Sequence, residues 1–186
     1  MTNMEVGIIG SFCPPNKLLV DFTSIDMEDP SGVWINPKKL DDLDLLAADV
    51  VVLVGRQRSR TLAVVYADER VPEGSIHIHR VTRKNLRVRT QDCIRLLPGD
   101  DIPHLTQLDI RPFADSIEGL AGDLAASFII PYFKDQMRPL HKGDLITIDG
   151  DFRSVDFKVV ETEPQEFGIV GPDTELFFQG EPYDRA

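Results

Sequence analysis

Cysteine is nearly absent: Cys13 and Cys93 are the only two in 186 residues. So few, so far apart, make neither a disulfide framework nor a metal spacing, and both read as ordinary reduced thiols. Long apolar runs are missing too. The longest, Val50 to Val54 with its flanks, falls far short of the roughly 20 residues that a membrane-spanning helix needs. Positive charge is in deficit, with 20 basic against 31 acidic residues and a net charge of -11. That balance opposes nucleic acid and the anionic face of a membrane, so any anion-binding role must come from a local patch. The first residues carry Glu5 and no basic cluster ahead of an apolar run; they do not read as a secretory signal, and an intracellular protein is expected.

Catalytic signatures are also lacking. No Gly-Lys dipeptide occurs, which excludes a Walker-type phosphate loop, and there is no His-Glu-x-x-His, Cys-x-x-Cys or Gly-x-Ser-x-Gly. His77 and His79 alternate, so on a strand they would share one face and could hold a metal with a nearby carboxylate. A solvated strand face is the plainer reading. Asp149-x-Asp151 resembles a magnesium pair, but Gly150, Phe152 and Arg153 give it the character of a hairpin tip. His104 and His141 have no nucleophile or carboxylate at a recognisable spacing. The expectation is therefore no catalytic, cofactor or metal site.

What the sequence does hold is 42% hydrophobic residues, enough for a buried core, arranged as short β-branched or alternating runs between Gly, Pro and Asp punctuation. The clearest strands are 17–20, 50–54, 62–66, 93–97, 145–148 and 157–160, and the polar loop Gly55 to Arg60 predicts a hairpin. A helix is expected over 37–46 behind an Asn36 cap and Pro37. A second is expected near Asp115 to Glu118, and a third over 121–130, stopped by Pro131. One pattern recurs: an Asp just before an apolar strand, at Asp49, Asp92 and Asp144. Such an Asp can bond turn N–H groups and fix where pairing starts, and the repetition points to strands closed into small barrels. The stretch Leu97 to His104, with two prolines, a glycine and paired acids, reads as a linker.

Arg80, Arg83, Lys84, Arg87 and Arg89 crowd ten residues. A nucleic-acid module using Arg80 to Arg89 is one reading, but no aromatic side chain interleaves them to stack on bases. A solvated strand face or a contact with an acidic protein surface fits better.

Six ordered blocks go further. Arg80 to Arg89 with Gln91-Asp92, Pro112 to Leu124, Pro131-Tyr132-Phe133, Arg138 to Asp144, Val155 to Thr162, and Pro172-Asp173-Thr174 with Gly180-Glu181-Pro182 resemble the N-terminal domain of AAA ATPases of the valosin-containing-protein, or transitional endoplasmic reticulum ATPase, type. The resemblance implies a mainly β fold with a few short helices: a double-psi β-barrel followed by a smaller four-stranded β-barrel. The expected layout is a flexible segment 1–14, the first barrel over 15–98, a linker 99–105, the second barrel over 106–182, and the start of a linker to the ATPase ring at 183–186. It implies no active site here, with ATP and magnesium belonging to ATPase modules outside this sequence. The isolated domain is expected to be a monomer and the full-length parent a hexamer. The implied partners are UBX-domain and Ufd/Npl-type adaptors, ubiquitin-linked substrates and linear adaptor motifs. The implied setting is the cytoplasm, with nuclear and endoplasmic-reticulum-surface pools. A free-standing enzyme on a double-psi barrel is the rival from another class.

Carried over residue by residue, the adaptor groove falls on Asp29, Gly32, Val64, Tyr66, His104, Met137 and Arg138. His104 and Met137 stand where the family commonly has tyrosine, and Gly32 where it has a branched aliphatic. Val64, Tyr66 and Met137 would supply apolar contact, and Arg138 would pair with an acidic partner group. Arg89 and Arg153 match arginines facing the ATPase ring, and Asp149 reverses the charge of a third.

Overall fold

In a computed structural model, residues 15–21, 29–134 and 136–185 are described; the expected flexible segment 1–14 lies outside them. Twelve strands are assigned among these residues. The first six are β1 (Lys17–Val20), β2 (Gly32–Ile35), β3 (Val50–Val54), β4 (Arg60–Ala67), β5 (Ser75–Ile78) and β6 (Cys93–Pro98), which close into one barrel in the order β1-β5-β2-β4-β3-β6. Two neighbouring pairs, β1–β5 and β2–β4, are parallel, while β3–β4 is the expected antiparallel hairpin. Closure removes every free edge. Alternation along β3 and β4 sends Val51, Leu53, Ala63 and Val65 inward, where they meet Leu18, Val33, Ile76 and Leu96 in one core.

The second unit comprises β7 (Gln107–Pro112), β8 (Arg138–His141), β9 (Leu145–Asp149), β10 (Ser154–Glu163), β11 (Phe167–Val170) and β12 (Glu175–Phe177). Four of these form one sheet, β12-β7-β10-β9, and the two-stranded sheet β11-β8 closes over its side. Phe157, Leu108, Ile110, Ile129 and Val155 make its separate core.

The three recurrent aspartates build the same turn three times, at 46–49, 89–92 and 141–144. In each, the Asp N–H donates to the first residue's carbonyl at 3.1 Å. The Asp carboxylate accepts that residue's N–H at 2.9, 2.7 and 3.0 Å. The third residue takes a positive φ, 75° at Ala48, 76° at Gln91 and 88° at Gly143, as a type II turn requires. Its N–H then donates to Val65, Val20 or Val159, whose own N–H returns a bond to the Asp carbonyl. The turn is thus stapled to a neighbouring strand.

The helices depart from expectation. The first, α1 (Pro37–Asp42), has the Asn36 side chain accepting from Lys38 N–H as a cap. It ends four residues early because Asp44 turns left-handed (φ 55°) and Leu45 N–H bonds back to Leu40. Residues 114–116 make a single 3₁₀ turn where a helix was expected. Pro131 does not stop the third helix: a wide π turn, 125–129, opens after the Asp123 cap and leads into α3 (Ile130–Lys134). Pro131 therefore lies inside one unbroken helical stretch over 124–134, directly after the π turn. The basic run is not a strand face either. It is the helix α2 (Arg80–Asn85) with the turn that follows, capped by the His79 side chain.

Candidate functional site

The two units meet along a seam between β4 and α2 on one side and β8 and β9 on the other, around a crevice of about 40 Å³. At one end Arg138, buried, donates from Nη1 to Asp29 Oδ1 at 2.9 Å and to the Ser31 hydroxyl at 2.7 Å, and from Nε to the Tyr132 carbonyl at 2.8 Å. Its guanidinium also lies 3.7 Å from the Tyr132 ring centroid. Asp29 Oδ2 accepts from the Tyr66 hydroxyl at 3.0 Å. Burial, and then that bond to Asp29, raise the Tyr66 pKa, so the phenol stays a donor. Arg138, expected to offer its charge to a partner, spends it on Asp29 inside the seam.

At the other end Asp144 is buried against β4, where the Thr61 hydroxyl donates to its Oδ2 at 2.6 Å beside the His141 N–H. Burial outweighs these two hydrogen bonds and pushes its carboxyl up to about 7. Asn85 of α2 completes the bridge: its amide donates to the Leu145 carbonyl at 3.0 Å and accepts from Leu145 N–H at 2.8 Å.

The groove residues are placed as follows. Asp29 opens the turn into β2, and Gly32 and Val64 are paired in the parallel β2–β4 register, as are Trp34 and Tyr66. Strand alternation puts Gly32, Trp34, Val64 and Tyr66 on the outer face of the barrel. Met137 stands 57% exposed beside Arg138. His104 sits on the linker, bridged to Ile169 of β11; among the described residues, no hydrogen bond joins it to the Asp29–Tyr66–Arg138 cluster. Of the ring-facing residues, Asp149 and Arg153 flank the β9–β10 hairpin and line one hollow of about 560 Å³. Arg153 donates to the Ser116 and Glu118 carbonyls, and Asp149 accepts from Ser154. Arg89 lies apart, on the first barrel, in the turn closed by Asp92.

Trp34 was missed. Its ring stacks on Tyr66 with centroids 5.6 Å apart and planes at 28°. A Cβ on Gly32 would come within 2.8 Å of both rings, so the space a branched side chain would take is filled by aromatic surface. The signal was available, as the single tryptophan of the chain two positions from a glycine on the same strand face.

The histidine pair dissolves. His77 is buried on β5 opposite Trp34, 3.9 Å from Asp21, while His79 caps α2. Burial lowers the pKa of both. Among the described residues, no group of three or more His, Cys, Asp or Glu is placed to hold a metal ion, and no helix is long and apolar enough to cross a membrane.

An outward aromatic and aliphatic face beside a rigid seam is a surface for holding another chain. The family model described as Cell division protein 48, N-terminal domain, matches residues 20–99, and that described as Cell division protein 48, domain 2, matches residues 119–185. The chain belongs to the cell division protein 48 family of AAA ATPases and carries its non-catalytic, adaptor-binding N-terminal domains.

Proposed function

We propose that this region recruits ubiquitin-handling adaptors, of the UBX-domain and Ufd/Npl types, and linear adaptor motifs, and so delivers ubiquitin-linked substrates to a hexameric ATPase for extraction and degradation. In this reading the ATPase rings supply ATP and magnesium chemistry, and the domain supplies only binding. It works in the cytoplasm, at the endoplasmic reticulum surface and in the nucleus.

The observation that carries the reading is the outward patch of Val64, Tyr66 and Trp34, with exposed Met137 nearby, running up to the buried Arg138–Asp29 pair. Aromatic anchors beside a fixed polar pair are the composition of a binding hot spot. The Trp34–Tyr66 stack and the flexible Met137 replace the tyrosine and aliphatic lining of the usual groove, so adaptor preference shifts toward partners that accept a flatter, more aromatic floor. Asp149 and Arg153, on the hairpin that would face the ring, carry position changes from the ring with a reversed charge at Asp149 that a compensating ring residue meets.

Calorimetric titration with a UBX domain tests this. Tyr66→Ala should lower affinity by about 2 kcal/mol, roughly thirtyfold, while leaving the fold intact. An unchanged affinity moves the adaptor site elsewhere.

A further inference from the structure

At the far end of β4 from the groove, Arg58, Arg60, Arg87, His141 and Lys142 line a crevice of about 320 Å³ that spans both units. Its cations are unusually unspent for a chain of net charge -11. Lys142 pairs with Glu161 at 2.9 Å. Arg87 bonds only the neutral Gln57 amide, and Arg58 and Arg60 have no ion pair among the described residues. Asp144, on the floor, is occupied by Thr61 and the His141 N–H.

The frame holding these arginines is rigid. Arg56 N–H donates to the Leu86 carbonyl at 3.0 Å, and the Ser59 hydroxyl donates to the same carbonyl at 2.8 Å. Gly55 is required there, since a Cβ would meet that carbonyl oxygen at 2.2 Å. The loop bearing Arg58 is thereby pinned to the turn bearing Arg87, and Asn85, next to that turn, is bonded to Leu145 of the second unit. Gln57, Arg58 and Arg87 all hold left-handed backbones, with φ 53°, 59° and 56°. Strain of this kind persists where surrounding structure imposes it.

We infer that this crevice is a second docking site, separate from the adaptor groove, for an extended acidic peptide segment of a partner protein. Guanidinium forks match carboxylates in paired hydrogen bonds, and the held backbone beneath these exposed arginines keeps them along one rim. A membrane or a nucleic-acid duplex extends well beyond a Debye length of about 8 Å and would meet the acidic remainder of the surface. A short acidic peptide meets the arginines alone.

The test is fluorescence anisotropy with a labelled peptide of alternating aspartate and glutamate. Phosphatidylserine vesicles and a single-stranded oligonucleotide are measured in parallel, and UBX binding is measured on every variant. Saturable peptide binding that weakens with salt is expected, with about tenfold loss in the Arg58→Gln/Arg60→Gln double variant and unchanged UBX binding. Glu161→Gln, which releases Lys142, should tighten the peptide severalfold, so the site can also be tested by a gain. No saturable binding, binding indifferent to both variants, or tighter binding of vesicles or oligonucleotide would overturn the inference. UBX binding that falls with the double variant, in a protein of unchanged melting temperature, would equally refute a separate site.

Discussion

The seam between the two units is bridged by a buried charge at each end, and the two charges are treated oppositely. Arg138 faces a carboxylate at 2.9 Å, two neutral acceptors and an aromatic ring, so its cation is matched and retained. Asp144 accepts hydrogen bonds only from a hydroxyl and a backbone N–H, and burial drives it toward the neutral acid, with a pKa of about 7. One end is therefore a matched ion pair and the other a hydrogen-bonded acid whose charge depends on pH. A buried charge is tolerable only when its partner is also charged, and otherwise it titrates away.

Removing the matched charge should do the most damage. Arg138→Ala leaves Asp29 desolvated and unpaired, which costs about 3 kcal/mol, or roughly 6–12 °C of melting temperature for a domain of this size. Calorimetry checks it, and a second change of Asp29 to Asn should recover part of the loss. A negligible shift would mean that the ion pair is not what ties this end.

Asp144 gives the next effect, and its sign follows from linkage. Its folded pKa of about 7 lies above an unfolded value of about 3.9, so the folded state holds the proton more tightly between them. The stabilising contribution is complete below about pH 4 and is lost as pH rises through 7, by up to about 4 kcal/mol. Melting temperatures of the protein and of Asp144→Asn, compared from pH 4 to 8, should diverge in that window, with the variant gaining on the parent as pH rises. Parallel curves would show that Asp144 stays charged.

The smallest effect belongs to the neutral link between them. Asn85→Ala removes two hydrogen bonds to Leu145, and a loss of about 1–2 kcal/mol is expected in chemical denaturation. A biphasic transition in this variant would sharpen the comparison further, because it would show that Asn85 holds the two cores to one cooperative unit.

How much of this was readable in the sequence depends on distance along the chain. Asp49, Asp92 and Asp144 announced their turns because each bond is made three residues away. The Asn36 cap and the β3–β4 hairpin were legible for the same reason. Arg80 to Asn85 was misread as a strand face because its helix is a single short stretch without a full apolar stripe, and the His79 side chain that starts it is an uncommon cap. Pro131 was misread because the wide turn ahead of it could not be foreseen from residue type. The members of the candidate site were proposed from the family resemblance, which carried nothing of their physics. Trp34 acquires meaning only when β2 lies parallel to β4, and Asp144 meets Thr61 from 83 positions away. Arg138 was expected to pair with a partner's acidic group because the carboxylate that claims it, Asp29, lies 109 positions away.

The central claim is that the outer face of β2 and β4, beside a locked seam, is where protein partners bind. Hydrogen exchange of the domain with and without a UBX domain addresses it directly. The account predicts new protection at Gly32–Ile35, at Val64 to Tyr66 and around Met137, with the β9–β10 hairpin unchanged. Protection confined to that hairpin, or to β12, would contradict it.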